Sequence, residues 1–261
     1  MGAREHSPRW LALDGLANAR AVVPGVLLRA DNLQSLSARD IRRLVDEHEM
    51  EVVIDLRTDM EVRFEGPGPL AAEPRVRVEL RSLYPDSGAQ SSLDTVSVRQ
   101  WWSHDESTAL DEQPVVRTYM NYLGRRPDSI VGAVRAIARS DGAVLIHCAA
   151  GKDRTGVVVA LALDAAGINR ETIVADYLAS ADRIEAIVAR LAGSSLYRDE
   201  LRIDDPHQHA PVPGTMERVL QLVDARHGGS AAWLLANGLD DTDLQRLRRR
   251  LTLAPVQAEP L

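Results

Sequence analysis

The stretch from Ala143 to Gly167 restricts this chain more than any other. It opens on an apolar run, Ala143-Val144-Leu145-Ile146, and passes through His147-Cys148-Ala149-Ala150-Gly151-Lys152-Asp153-Arg154. It then continues from Thr155 through Val157-Val158-Val159-Ala160-Leu161 to a glycine at 167. Four apolar residues suit a buried central strand, whereas the longer Ala-rich stretch closed by a glycine predicts a helix from Thr155 onward. A buried strand handing directly to a helix places the chain in the α/β class. The turn between them holds the only cysteine, Cys148, and the only lysine, Lys152, although Lys and Arg together number 31.

In such a turn the backbone N–H groups of residues 149–154 converge, and the first helical turn adds unpaired N–H groups and the positive end of its dipole. That arrangement suits an anion, most naturally a phosphate dianion. Cys148 stands at its entrance, where the same groups favour the thiolate, the nucleophilic form of the side chain. Arg154, six positions on, can curl back and offer a planar fork to two phosphate oxygens, which lysine cannot do bidentately. The expectation is a cysteine that attacks and an arginine that holds, with Ala149, Ala150, Gly151, Lys152, Arg154 and Thr155 around the phosphate.

The string His147-Cys148-Ala149-Ala150-Gly151-Lys152-Asp153-Arg154-Thr155-Gly156 resembles the signature of the cysteine-based Cys-x5-Arg phosphatases. More narrowly, it resembles the bacterial protein-tyrosine phosphatase B type, relatives of the dual-specificity and phosphoinositide phosphatases. Leu27-Leu28-Arg29-Ala30-Asp31-Asn32-Leu33, Val53-Ile54-Asp55-Leu56-Arg57 followed by Glu61, and Ile173-Val174-Ala175-Asp176-Tyr177-Leu178 agree with it. The likeness spans roughly residues 10–250, while residues 84–113 match no pattern. It implies a central mixed or parallel sheet flanked by helices, with C-terminal accessory helices as a candidate lid. It also implies hydrolysis of phosphate monoesters through a cysteinyl-phosphate: Cys148 displaces the alcohol or phenol, and water then releases phosphate. Arg154 and the loop amides would stabilise the equatorial oxygens in both steps.

The leaving oxygen needs a proton, and three aspartates compete to supply it. Asp153 comes first, because the resembled subgroup carries an aspartate inside the loop beside the arginine. Asp55 ends the apolar run Val52-Val53-Ile54 at the carboxyl edge of a sheet, where α/β sites gather; its structural alternative is a buried partner of Arg57 or of a helix N-terminus. Asp86, in Pro85-Asp86-Ser87-Gly88, sits on a turn that could act as a separate acid loop or have no role. Lys152 adds positive charge near the phosphate and favours multiply phosphorylated substrates, inositol lipids among them. His147 precedes the nucleophile and reads as a hydrogen-bonding support of the loop. Thr155 can place its hydroxyl near the thiolate or cap the helix that starts there.

Other chemistries fit less well. A nucleotide P-loop needs a glycine five positions before Gly151, where Ile146 stands, and Ser or Thr after the lysine, where Asp153 stands. A sulfurtransferase commonly has a different loop length and lacks the Arg-Thr-Gly helix start. Only His207 and His209 form a close pair of metal-ligand type, so neither a metal nor a cofactor is expected. A catalytically weak or dead phosphate-binding module remains the rival of another class. A net charge of −7 argues against a nucleic-acid partner, and no apolar run reaches the roughly 18 residues a membrane span needs. One cysteine excludes an internal disulfide. The expectation is therefore a monomer acting on phosphorylated protein or peptide, with phosphoinositides in range, cytoplasmic or exported without a classical signal peptide.

Hydrophobic content of 45% over 261 residues suits one domain. It divides into a catalytic core over 9–180, the candidate lid over 181–214 and closing helices over 215–252, with tails at 1–8 and 253–261. Residues 10–13 and 26–29 read as strands of an edge hairpin with turns at Asp14-Gly15 and Pro24-Gly25. Helices are predicted over 37–48, 60–64, 114–125, 128–139, 170–179, 181–192, 216–226, 231–237 and 240–251, and strands over 52–56 and 76–81. Trp101-Trp102 lies in an Asp- and Ser-rich stretch and could pack on the domain or meet substrate. Arg248-Arg249-Arg250 reads as a solvated face.

Overall fold

The computed structural model describes residues 8–85, 112–198, 201 and 203–252. Asp86 and the Trp101-Trp102 pair lie outside the described residues. A six-stranded sheet in the order β1-β2-β3-β6-β4-β5 organises the rest, built from Arg9–Trp10, Arg20–Val23, Leu27–Ala30, Ala143–His147, Met50–Asp55 and Arg77–Leu80 respectively. β3, β6, β4 and β5 run parallel, while β1 and β2 attach antiparallel at one side.

The alternation of a pleated strand decides which residues face which layer. Val144 and Ile146 of β6, Val52 and Ile54 of β4 and Leu27 of β3 join the larger core, under helices α3 (Pro114–Arg125), α4 (Pro127–Arg139) and α5 (Asp153–Ala166). Ala143, Leu145, Val53, Leu28 and Ala30 face the smaller core on the other side, covered in part by α1 (Ala38–Arg42) and the π-turn Arg43–Glu47 that continues it. Ile146 is fully buried, and truncating it to alanine would cost about 2–5 kcal/mol through lost contacts and the cavity left behind. Side chains buried on both faces make β6 the central strand its apolar run predicts.

The helices start where their caps dictate. Ser37 and Asp40 form a reciprocal capping box on α1, and Thr58 and Glu61 form another on α2 (Asp59–Glu65). α5 ends at Gly167, whose φ of 86° is left-handed and therefore suits glycine. Helices α6 (Arg170–Leu178), α7 (Ile184–Ala192), α8 (Thr215–His227), α9 (Ser230–Ala236) and α10 (Asp241–Thr252) complete the α side.

Several expectations are corrected. The hairpin about Pro24-Gly25 joins β2 to β3, and β3 is not at an edge but is hydrogen-bonded to the central β6, with Ala30 opposite His147. All four residues of β3 are buried, Arg29 included; the arginine in its middle disguises an interior strand as an exposed one. The strand expected over 10–13 shortens to Arg9–Trp10. The helix expected from Ala181 is preceded by a 3-10 turn, Ala179–Arg183, and begins at Ile184. Arg248 and Arg250 are not merely solvated: Arg248 Nε donates to Ala165 O at 3.2 Å and Arg250 Nη2 to Gly142 O at 2.7 Å, pinning α10 to the core.

Candidate active site

β6 and α5 present the loop at the carboxyl end of the parallel strands. Cys148 follows the last residue of β6 and is a buried free thiol, 2% exposed. The neighbouring strands supply the frame: Leu56 N–H donates to His147 O at 2.9 Å, and Asn32 N–H to Ala149 O at 2.9 Å. Gly151 requires glycine twice over. Its φ is 65°, and a Cβ there would stand 2.2 Å from Ala30 O.

α5 begins at Asp153, two residues before the expected start, with Lys152 as its N-cap residue. Asp153 and Arg154 are therefore the first two helical residues rather than loop residues. Thr155 lies in the first turn, fully buried, and does not cap the helix; its Oγ1 makes no hydrogen bond.

Arg154 directs its fork into a bidentate pair with Glu61. Nη1 reaches Glu61 Oε2 at 2.7 Å and Nη2 reaches Oε1 at 2.8 Å. Its guanidinium also lies 5.6 Å from the centre of the Tyr84 ring, close enough for a cation–π contact. Burial opposes the charge on Arg154, but Glu61, with a smaller contribution from Cys148, outweighs it and raises the pKa well above the ordinary value. Glu61 answers in the opposite direction. Burial would raise its pKa, yet Arg154 and Thr58 hold it down to about 2. Both Glu61 oxygens have further partners, the Thr58 N–H at 2.7 Å and the Tyr197 hydroxyl at 2.9 Å.

The two described candidate acids differ sharply. Asp55 is 2% exposed and accepts from Arg57 Nε at 3.0 Å and Arg57 Nη2 at 2.8 Å, with His147 Nε2 3.5 Å away. Burial alone would raise its pKa, but His147 and Arg57 reverse that and lower it, so it is a buried carboxylate. His147, whose Nδ1 lies 3.2 Å from Cys148 O, is pushed down by burial against the pull of Asp55 and is neutral at physiological pH. Asp153 stands instead at the mouth with a third of its side chain exposed. Its Oδ1 accepts the Tyr119 hydroxyl at 2.5 Å, and Tyr119 in turn lies 3.1 Å from the Tyr177 hydroxyl. Burial and the nearby carboxylate of Asp153 raise the Tyr119 pKa far above the ordinary phenol, which fixes it as the donor.

Lys152 does not extend into solvent. Its Nζ donates to His209 O and lies 3.6 Å from Asp153 Oδ1. Tyr197 on Glu61, and Arg190 on Asp31 at 2.8 Å and on Asn32 O at 3.0 Å, are further contacts from the 181–214 segment to the framework of the loop. His207 pairs with Glu185 at 3.3 Å, and no group of three metal-ligating side chains occurs among the described residues.

Sequence reasoning did not single out Tyr84, Tyr119 or Tyr197, and it noted Glu61 only as part of a motif. The spacing Thr58-x-x-Glu61 signals a capping box, but nothing local shows that the same carboxylate meets Arg154.

A sequence profile of the tyrosine phosphatase family matches residues 13–253. The triple specificity protein phosphatase PtpB of Mycobacterium tuberculosis is 29% identical, over 95% of this chain and 98% of that protein. A tyrosine-protein phosphatase of Nostoc commune is 32% identical, over 51% of this chain and 47% of that protein. Among solved structures, P. aeruginosa TpbA matches at 15% identity over 83% of this chain and 99% of that one, with a TM-score of 0.32.

Proposed function

The chain belongs to the tyrosine phosphatase family and is a cysteine-based phosphatase, and from that premise we propose that Cys148, Asp153 and Arg154 carry the reaction. The Cys148 thiolate attacks phosphorus while the bond to the leaving oxygen breaks, giving a cysteinyl-phosphate. Asp153 delivers its proton to that oxygen. In the second step Asp153 takes a proton from water, the water oxygen bonds phosphorus, and inorganic phosphate leaves with the thiolate restored. Arg154 and the N–H groups of residues 149–154 hold the equatorial oxygens throughout. Ala149, Ala150, Gly151 and Lys152 supply the loop, and the buried Thr155 hydroxyl serves the thiolate.

One observation carries this reading: the nucleophile, the phosphate-holding arginine and a partly exposed aspartate stand on a single strand–loop–helix connection. Asp153 is favoured over Asp55 as the acid because Asp55 is buried and saturated by Arg57, whereas Asp153 uses Oδ1 for Tyr119 and leaves Oδ2 to carry the transferable proton. His147 supports the loop from behind.

The substrate reading is phosphotyrosine in proteins, with phosphoserine, phosphothreonine and phosphoinositides as further substrates. It is supported by the name of the mycobacterial relative and by Lys152, the one lysine, within the loop that follows Cys148. The test is a panel of phosphopeptides and mono- and bisphosphorylated inositides on wild type, Cys148→Ser, Lys152→Ala and Asp153→Ala. Cys148→Ser abolishes turnover on every substrate; substantial residual activity would sink the covalent mechanism. Asp153→Ala loses most on poor leaving groups, and an equal loss across leaving groups would move the acid role elsewhere. Lys152→Ala loses more on bisphosphorylated inositides than on phosphotyrosine.

A further inference from the structure

A loop whose N–H groups face an anion must turn its carbonyl groups away, and each of those needs a donor of its own. Here the donors come from the region around β2 and β3. Asn32 N–H takes Ala149 O at 2.9 Å, and Asn18 Nδ2 takes Ala150 O at 2.9 Å. Arg29 Nη2 takes Gly151 O at 2.7 Å and reaches Lys152 O at 3.3 Å. Four successive carbonyls of the loop are thus held from behind, and one guanidinium holds two of them.

Arg29 is itself fixed. It is fully buried, and its Nη1 donates to Asp176 Oδ2 on α6. The other oxygen of Asp176 receives Arg20 Nε at 2.8 Å, and Arg20 Nη1 reaches Asn18 Oδ1 at 2.6 Å, which turns the amide of Asn18 toward Ala150. Two buried guanidiniums therefore share one carboxylate. Burial first and the charge on Arg29 second lower the Arg20 pKa to about 10, against the pull of Asp176, so Arg20 remains charged at neutral pH. A Cβ at position 156 would stand 3.0 Å from the Tyr177 ring, so the first turn of α5 carries glycine where α6 packs against it, and Arg29 Nη2 lies in ordinary contact at 3.7 Å.

We propose that Arg29, locked by Asp176 and Arg20, is the positioning residue of the phosphate loop: it holds the Gly151 and Lys152 carbonyls outward so that the loop N–H groups face the substrate phosphate, and it adds buried positive charge beneath them. The proposal rests on the assignment of this loop as the phosphate site.

The test compares the full-length wild type with Arg29→Gln and Arg29→Lys. Three quantities are read: amide exchange across residues 149–156, affinity for tungstate by calorimetry, and kcat and KM on an aryl phosphate. In Arg29→Gln, exchange in the loop accelerates while β4 stays protected, tungstate binds about 10-fold or more weakly, and kcat falls by more than KM rises, because the displaced donors act on the transition state. Arg29→Lys keeps the charge but lacks the fork, so it recovers tungstate affinity only in part. A folded Arg29→Gln with wild-type loop exchange and tungstate affinity would overturn the proposal. If Arg29→Gln does not fold, the same measurements on Arg29→Lys decide, and wild-type values there would also overturn it. A wild type that neither binds tungstate nor turns over would refute the phosphatase assignment instead, while loop exchange still answers for Arg29.

Discussion

Two buried arginine–carboxylate clusters adjoin the loop, and they are built on different terms. In the front pair Arg154, just after the loop, meets Glu61 one to one, and the carboxylate is shared with Thr58 N–H and the Tyr197 hydroxyl. Behind, Arg20 and Arg29 converge on Asp176 and place further donors on backbone carbonyls of the loop and α6 and on the side chains of Asn18 and Ser180, while Arg29 Nε makes no hydrogen bond. On the proposed role of Arg154, a phosphate would offer the same paired oxygens that Glu61 offers now, so a ligand would take over its fork, whereas nothing in the proposed reaction would replace Asp176. On that reading the front pair is exchangeable and the back cluster is structural, although both are salt bridges of similar length.

The largest effect should come from breaking the back cluster. Asp176→Leu leaves two buried guanidiniums without a carboxylate, and a loss of about 3–5 kcal/mol in urea unfolding is expected. Tungstate or phosphate will not restore it. Glu61→Gln should cost less, about 1–3 kcal/mol, because the amide keeps an acceptor for Arg154 or for the Thr58 N–H. Here the comparison becomes sharp. Because the anion binds the folded state and supplies the negative charge that Arg154 has lost, saturating tungstate should raise the melting temperature of Glu61→Gln by more than it raises wild type. Equal increments would show that Arg154 is not available to ligand.

Acid separates the front pair from ordinary surface carboxylates. Glu61 titrates at about 2 in the folded protein against an ordinary value of 4.5, so between those values the unfolded chain binds the extra proton. Its contribution to stability is complete above about pH 4.5 and is lost as pH falls through about 2. Urea stability measured from pH 6 to pH 2 should fall less steeply for Glu61→Gln than for wild type in that window. Parallel curves would remove Glu61 from the acid limb.

The difference between the clusters also explains what could be read from the sequence. The strand, the loop, Cys148 and Arg154 are legible because they lie within one local stretch whose apolar pattern and spacing carry their own signal. The helices expected over 37–48 and 60–64 are legible for the same reason. Arg29 and Asp176 were visible only as letters in resembling motifs, since 147 positions separate them and only the pairing of β3 with β6 brings them under the loop. Reading β3 as an edge strand hid this, because an arginine in an edge strand needs no partner, whereas one in an interior strand does. Tyr119 was missed on similar grounds. On α3 it looks like one more apolar position of an amphipathic helix, and its hydroxyl acquires meaning only when α5 brings Asp153 within reach.

Tyr119 gives the smallest of these effects and the most discriminating one. Tyr119→Phe removes a single hydroxyl from a buried position while keeping the ring that packs on Tyr122 and Tyr177. One neutral-to-charged hydrogen bond is worth about 1.5–3 kcal/mol when intact, and the variant keeps the Asp153 carboxylate partly solvated, so the net change should lie near the lower figure. If Asp153 is the acid, the hydroxyl holds its carboxylate in place, and removing it costs most where the leaving oxygen most needs a proton. The kcat for a poor leaving group should therefore fall in Tyr119→Phe, while activity on a good leaving group barely changes. An equal loss for both leaving groups would mean that Tyr119 supports the local fold rather than the acid.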